Sequence, residues 1–344
     1  VRRVVFITQQ VDPAHPALAA TVPKVRALAR RVDEVVVLAD GAVAGVLPAN
    51  CRVRRFRAGT KVGRGLRFEA VVAAELLQRP DALVAHMCPI YAVLAAPLAR
   101  PLGVPVVLWY THWHASTTLR AAARAANVVA SVDRRSFPLE SNKVRAIGHG
   151  IDLEEFPCRN HESGDELRIV VLGRYSPAKG IDVVLRALRR LLDRGVVAAV
   201  TVRGPTLSPL EQAHRSELSA LVRELSLQEH VELGPAIERS DVPHLLAAHD
   251  VLVNNMRAGA PDKVVYEAAA SCLPIVASNP VFDSLLPEEL RFTRDDADGL
   301  AERLARFSRL GADARARCGE ALRQKVAREH SVERWAEKLL ELVR

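Results

Sequence analysis

Short apolar runs alternate with stretches of helical period along most of the chain, which predicts parallel sheets covered on both faces by helices. In the first half, strands are expected at 4–8, 34–39, 53–56, 82–86, 104–110, 128–131 and 144–147, with helices between them, notably 21–31 and 66–77. Near residue 150 both periods stop. GHGIDLEEFPCRNHESGDEL is polar, carries glycines and a proline, and reads as a linker. A second alternation runs through 167–172, 198–203, 231–233, 251–254 and 275–277, and from 296 onward the pattern is almost wholly helical. The expectation is an α/β chain of two parallel-sheet domains, 1–150 and 165–325, with a C-terminal helix, 326–344, placed to pack back on the first. Ligands of open parallel sheets sit beyond the carboxyl ends of the strands, so a cleft between the domains is the expected site.

Composition sets limits on this picture. Of 344 residues, 49% are apolar and 26% charged, a balance that supports packed cores and argues against disorder. The 48 lysines and arginines exceed the 40 acids by +8, which suits an anionic partner such as nucleotide phosphates, nucleic acid or a lipid surface; arginine-rich composition alone gives the same excess. The five cysteines lie far apart without a C-x-x-C pair, which argues against a metal or a redox disulfide and fits a reducing cytoplasm. VRRVVFIT starts directly on an apolar run, so no secretory signal is expected. The uncharged interval 82–99 sits at the short end of membrane-spanning length, contains Pro89 and Pro97, and divides more naturally into a strand and a buried helix. RVRRFRAGTKVGRGLR, 52–67, faces either an anionic membrane or water; its apolar residues form no continuous amphipathic face, which favours a solvated loop.

Two turns carry candidate chemistry. In VVLGRYSPAKGIDVVLRAL, 170–188, a strand hands over to an amphipathic helix through a turn holding Arg174 and Lys179. A helix start already presents free N–H groups and the positive end of its macrodipole, so two added cations make the turn a candidate for a diphosphate. In NNMRAGAPDKVVYEAAASCLPIVAS, 254–278, another strand leads through Gly259 and Pro261 into a helix bearing Glu267. A carboxylate there can accept hydrogen bonds from the vicinal hydroxyls of a ribose. Helix N-terminal electrostatics would also account for it.

GRYSPAKG, then VTVRGP, then ELSALVRELSLQEHVELGPAIERSDVPHLLAAHDVLVNN, then DKVVYEAAASCLPIVAS, in that order, resembles the donor half of the group 1 (family 4) retaining glycosyltransferases. The likeness is strong over about residues 145–280 and mostly architectural before them. It implies the GT-B fold, two Rossmann-like parallel-sheet domains facing across a cleft, here with a helical C-terminal tail. It also implies that Arg174 and Lys179 bind the nucleotide diphosphate of a sugar donor of UDP or GDP type, with Gly204 on the same donor side. The backbone of Lys263, Val264 and Val265 matches the loop that approaches the phosphates and sugar. Glu267 matches the later glutamate of the E-x7-E motif, which holds the ribose. The earlier glutamate is replaced by Gly259, which leaves the choice of sugar open. Lys263 is similar to the lysine of relatives that read P-x-K and is placed for a further phosphate contact.

VPVVLWYTHWHAS, 104–116, ends a strand on His112 and His114, and the resemblance matches His112 to an acceptor-domain histidine beside the donor sugar. His-x-His suggests a metal, but no third ligand follows at a sensible spacing, and none is expected. Asp295, Asp296 and Asp298 open a helical run, where capping explains them better than a metal does. Gln9, Gln10 and His15 follow the first strand and are placed to face an acceptor. The resemblance thus implies a metal-independent retaining glycosyltransferase of hexosyl type, without cofactor, in which His112, Arg174 and Lys179 are catalytic. The acceptor would be a small molecule, a lipid-linked molecule or a glycan, not nucleic acid, and the setting cytoplasmic, with attachment to the inner membrane face left open. Two alternatives remain open: an epimerase or hydrolase on the same fold, for which no carboxylate acid/base set is evident, and a nucleotide-sugar-binding subunit without turnover, suggested by Gly259.

Overall fold

The computed structural model describes residues 2–15, 18–158, 164–259 and 261–343. Residues 159–163 of the expected linker, Pro16 of the first loop and Ala260 of the second turn lie outside them. The chain forms two compact units: the residues up to Asp152 together with those from Glu329 onward, and Leu153–Arg328.

The first unit is built on a parallel sheet of β1 (Arg3–Val11), β2 (Glu34–Ala42), β3 (Cys51–Arg55), β4 (Ala82–His86), β5 (Val106–Trp109), β6 (Val128–Ser131) and β7 (Val144–Ala146), in the order β3-β2-β1-β4-β5-β6-β7. Its helices are α1 (Thr21–Ala29), α2 (Lys61–Leu76), α3 (Pro89–Ala99) and α4 (Thr117–Ala125). The runs Val4 to Ile7 and Val35 to Leu38 are buried throughout, as strands covered on both faces must be. The interval 82–99 becomes β4 and α3, whose alanines and Tyr91 pack into the core. No helix among the described residues is long and apolar enough to cross a membrane.

The structure corrects two expectations here. β1 extends to Val11, paired with Ala42 of β2, so Gln9 and Gln10 lie within the strand and not in the loop after it. Nor is the basic stretch 52–67 a solvated loop. Its start is β3, and α2 begins at Lys61, with Thr60 Oγ1 accepting from the Gly63 N–H at 3.0 Å. Gly63 and Gly65 in the first turns hid the start of that helix, which was expected only from 66, because glycine weakens the helical signal. Several of the cations are spoken for: Arg52 and Arg54 meet buried Glu75 at 2.8 and 3.2 Å, and Arg64 meets Asp40 at 3.2 Å.

The second unit holds a five-stranded parallel sheet of β8 (Leu167–Leu172), β9 (Ala198–Arg203), β10 (Val231–Gly234), β11 (Val251–Asn254) and β12 (Ile275–Ala277), ordered β10-β9-β8-β11-β12. Its helices are α5 (Ile181–Asp193), α6 (Pro209–Glu224), α7 (Val242–Ala247), α8 (Lys263–Ala270), α9 (Ala297–Ser308) and α10 (Ala312–Glu329). The described start of the expected linker is firmly attached to this unit. Phe156 is fully buried, Arg323 donates to the carbonyls of Phe156 at 2.6 Å and Leu153 at 3.3 Å, and Cys158 forms a disulfide with Cys272 across a Cα separation of 5.0 Å. The reading of the cysteines, which found no C-x-x-C pair and expected a reducing setting, did not foresee this disulfide: the partners are 114 positions apart, and only the fold brings them together.

The final helix, α11 (Val332–Glu341), belongs to the first unit. Ser331 caps it by accepting from the Arg334 N–H, and Arg31 of the segment after α1 pairs with Glu337 at 3.0 Å. Trp335 is fully buried, edge-on to Phe6 and Trp109 at 6.4 and 6.3 Å. Lys24 is buried beside it, with Nζ 3.7 Å from the centre of the Trp109 ring, while His86 stacks on that ring at 4.7 Å.

Candidate functional site: a cationic turn and a buried carboxylate

The turn after β8 is shaped by glycine backbones. A Cβ on Gly204, just past β9, would collide with the Gly173 carbonyl, so the two backbones touch only because Gly204 lacks a side chain. Tyr175 then anchors the loop. It is fully buried, its hydroxyl donates to the Gly234 carbonyl at 2.8 Å, and its N–H donates to Pro205 O at 3.2 Å. Its neighbours are thereby fixed in direction. Arg174 stays largely exposed and reaches Glu211 at 3.3 Å; Lys179, at the end of a short 3-10 turn, is mostly covered and pairs with Asp262 while donating to Leu172 O at 3.2 Å. Gly180 follows at φ 56, a left-handed conformation that glycine adopts without strain, and α5 starts there.

Asp262 also accepts from Asn254 Nδ2 at 2.8 Å and directly precedes α8. The Lys179 turn and the start of α8 are thus joined through one carboxylate. In α8, Val264 and Val265 bury their side chains and can offer a ligand only their backbone. Lys263 turns along the helix to Glu267 Oε1 at 3.0 Å, and Arg239 reaches the same oxygen at 2.8 Å. No hydrogen bond among the described residues falls on Oε2. Burial pushes the Glu267 carboxyl up, but Lys263 and then Arg239 outweigh it and hold it below the usual carboxylate range. Arg239 in turn makes a two-pronged pair with Glu155, Nε to Oε1 at 2.7 Å and Nη2 to Oε2 at 2.8 Å. For Glu155 burial prevails over Arg239, and its carboxyl is raised.

A recess of about 510 Å³ opens beside the start of α5, lined among others by Pro177, Gly180, Arg186, Arg190, Arg294 and Asp295. Neither Arg174, Lys179 nor Glu267 lines it, and two of its arginines already face acids, Arg190 to Asp298 at 2.9 Å and Arg294 to Asp295 at 3.4 Å. Asp296 caps α9 through the Gly299 N–H at 2.9 Å. Among the described residues, no group of three or more His, Cys, Asp or Glu side chains is arranged to hold a metal ion.

The family model for glycosyl transferases group 1 matches residues 154–325, half of the chain. The chain belongs to the group 1 glycosyltransferases. Among curated relatives, this group 1 chain is 30% identical over 217 residues to a GDP-mannose-dependent alpha-(1-6)-phosphatidylinositol monomannoside mannosyltransferase of Mycolicibacterium smegmatis, covering 54% of the chain and 55% of that protein. It is 29% identical over 150 residues to a D-inositol 3-phosphate glycosyltransferase of Kineococcus radiotolerans, covering 40% and 34%. It therefore spans about half or less of the length of these relatives. Over 99% of its length it superposes on a sucrose-phosphate synthase from Thermosynechococcus elongatus (98% of that chain, TM-score 0.77, 19% identity) and on a glycosyltransferase from Rickettsia africae (97%, TM-score 0.77, 13% identity). The fold is GT-B, with two Rossmann-like parallel-sheet domains.

The remaining candidates of this group 1 glycosyltransferase lie in the first unit. His112 follows β5, is exposed, stacks on Trp113 at 5.3 Å, and accepts from the His114 N–H through Nδ1 at 3.0 Å. His15 Nδ1 accepts from the Leu18 N–H at 3.1 Å, which gives it a turn-closing part. Gln9 is exposed and Gln10 half-buried near the end of β1. Sequence reasoning missed Arg239, Asp262, Glu211 and Glu155. Glu211 had a detectable signal, the S-x-x-E spacing of a capping box: Ser208 accepts from the Glu211 N–H at the start of α6, and Glu211 Oε2 accepts from the Leu207 N–H, one residue before the cap, at 2.6 Å. The other three carried none, since their contacts join distant segments.

Proposed function

We propose that this chain transfers a sugar from a nucleotide-diphosphate sugar to an acceptor hydroxyl with retention of configuration, with the second unit holding the donor. One observation carries the reading: a cationic turn at a helix start and an ionised, buried carboxylate on a second helix, joined through Asp262 and Asn254. In this reading Glu267 offers Oε2 to the ribose hydroxyls while Lys263 and Arg239 keep it charged. Arg174, Lys179 and the first N–H groups of α5 and α8 stabilise the negative charge that grows on the diphosphate as its bond to the anomeric carbon breaks. The acceptor oxygen forms the new bond on the same face, and its proton passes to the departing phosphate oxygen. His112, at the carboxyl end of β5, serves the donor sugar from the acceptor side, and Gln9, Gln10 and His15 the acceptor. Gly259 has φ 78, a conformation that a glutamate adopts only with strain, so the loop is shaped for a sugar not gripped by a carboxylate there.

A panel that includes GDP-mannose, prompted by the mannosyltransferase relative, and UDP-hexoses tests the proposal. Nucleotide release that depends on an added acceptor supports transfer. Release without acceptor indicates hydrolysis, and binding without release a subunit lacking turnover. Arg174→Ala should weaken nucleoside diphosphate binding by about 1.5–3 kcal/mol and leave nucleoside binding unchanged, as titration calorimetry would show; equal losses for both ligands would remove Arg174 from its assigned place.

A further inference from the structure

Asp262 stands at the N-cap position of α8, yet its side chain caps no N–H of that helix. An aspartate at this position ordinarily accepts from the N–H two or three residues on. Here Oδ2 instead meets Lys179 Nζ and takes the hydrogen bond from Asn254 Nδ2 at 2.8 Å. The ammonium it engages is held close against its own turn. Leu172 O accepts from Nζ at 3.2 Å, and a Cβ on Gly173 would strike that Nζ. Lys179 is 10% exposed and Asp262 18%, so the pair is largely withdrawn from water, where attraction between charges is less screened.

The second cation is held differently. Glu211, the partner of Arg174, is itself fixed at the start of α6, with Oε2 taking the Leu207 N–H. Asp262 has only Asn254 besides Lys179 among the described side chains. Arg174 reaches Glu211 at 3.3 Å with more than half of its side chain exposed, so it can receive a phosphate without losing that contact. Lys179 cannot do so at equal ease. A phosphate oxygen brought to its ammonium would lie beside the Asp262 carboxylate, like charge against like.

We infer that Asp262 is a counter-ion that the donor's diphosphate must displace from Lys179, and so a residue that sets how tightly the diphosphate is held. The inference rests on the donor role proposed for Lys179. Asp262 compensates the largely buried ammonium. When a diphosphate arrives, Lys179 exchanges one anion for another, and Asp262 remains on Asn254. The exchange lowers affinity for the nucleoside diphosphate product, which hastens its departure, and touches the nucleoside part not at all.

Binding of GDP, UDP and their parent nucleosides to the full chain, its Asp262→Asn and Asp262→Ser variants, and Lys179→Ala tests this. Either Asp262 variant should bind the accepted nucleoside diphosphate roughly tenfold more tightly, on the scale of one charge-assisted hydrogen bond regained. Nucleoside affinity should not move, and stopped-flow release of the diphosphate should slow by a similar factor. Unchanged or weaker diphosphate binding in both variants, or loss of folding in both, overturns the inference. Lys179→Ala separates the two levels: weaker diphosphate binding there without tightening in the Asp262 variants sinks the counter-ion role alone. Unchanged binding in Lys179→Ala, or no binding of either diphosphate by the parent chain, sinks the donor reading and the inference together.

Discussion

Two buried charges, Lys24 of the first unit and Glu267 of the second, are held in different ways. In the first, Lys24 lies over the faces of Trp109 and Trp335, next to His86, whose imidazole is driven well below its usual range by burial and then by Lys24. In the second, Glu267 sits between Lys263 and Arg239, and Arg239 passes on to Glu155. Aromatic faces hold a cation without offering it a partner to exchange, and they suit a charge that serves packing. Carboxylate and cation chains are made of contacts that a ligand can replace one for one. The first unit has a carboxylate cluster of its own, Glu75 with Arg52 and Arg54, but the pairs around Glu267 lie in the unit that matches the family model, and the difference between Lys24 and Glu267 can be tested at several strengths.

The largest effect is expected at the aromatic end. Trp335→Ala should remove about 3–5 kcal/mol from the stability of the first unit and leave nucleoside diphosphate affinity intact, as denaturant unfolding and calorimetry would show. Next comes acid. His330 is buried, and burial followed by Lys338 lowers its imidazole from 6.5 to about 4. The unfolded chain therefore binds more protons in that interval, and the first unit should lose up to about 3 kcal/mol as pH falls from 6.5 to 4. Glu267 behaves otherwise. Its folded-state pKa is lowered, so its contribution is present above the ordinary carboxylate range and fades only as pH falls through the depressed value. Acid should thus open the first unit before α8. All three tryptophans, Trp109, Trp113 and Trp335, belong to the first unit, so their fluorescence follows it alone, while hydrogen exchange in α8 follows the second. Simultaneous loss would erase the distinction.

Smaller again, Arg239→Ala should destabilise the second unit by about 1.5–3 kcal/mol and raise the pH at which α8 loses protection, because Glu267 keeps only Lys263. Smallest is Asp296→Ala, a lost helix cap of about 1 kcal/mol. It should lower thermal stability slightly and leave nucleotide binding as it was; a change in binding would contradict a purely capping part.

Strand positions were readable because runs such as Val4 to Ile7 and Ile169 to Val171 are apolar on both faces. The turn at Arg174 and Lys179 was readable for a related reason: its residues are neighbours in sequence. What the cations touch was not. Lys179 meets Asp262 from 83 positions away, and Arg239 meets Glu267 and Glu155 from 28 and 84. No local period or spacing encodes such pairs. Lys263 differs: its pair with Glu267 is a local i,i+4 spacing, and that contact does not exclude the phosphate contact its motif suggested.

Residues 331–341 supply the first unit with a cap at Ser331, a bridge from Ser331 to Ile151 and the indole of Trp335. During synthesis, then, the opening 150 residues emerge without a piece of their own interior. They must wait, with Phe6 and Trp109 incompletely covered, while the entire second unit leaves the ribosome and is free to fold first. Removing residues 331–341 would be felt in β1 and β5.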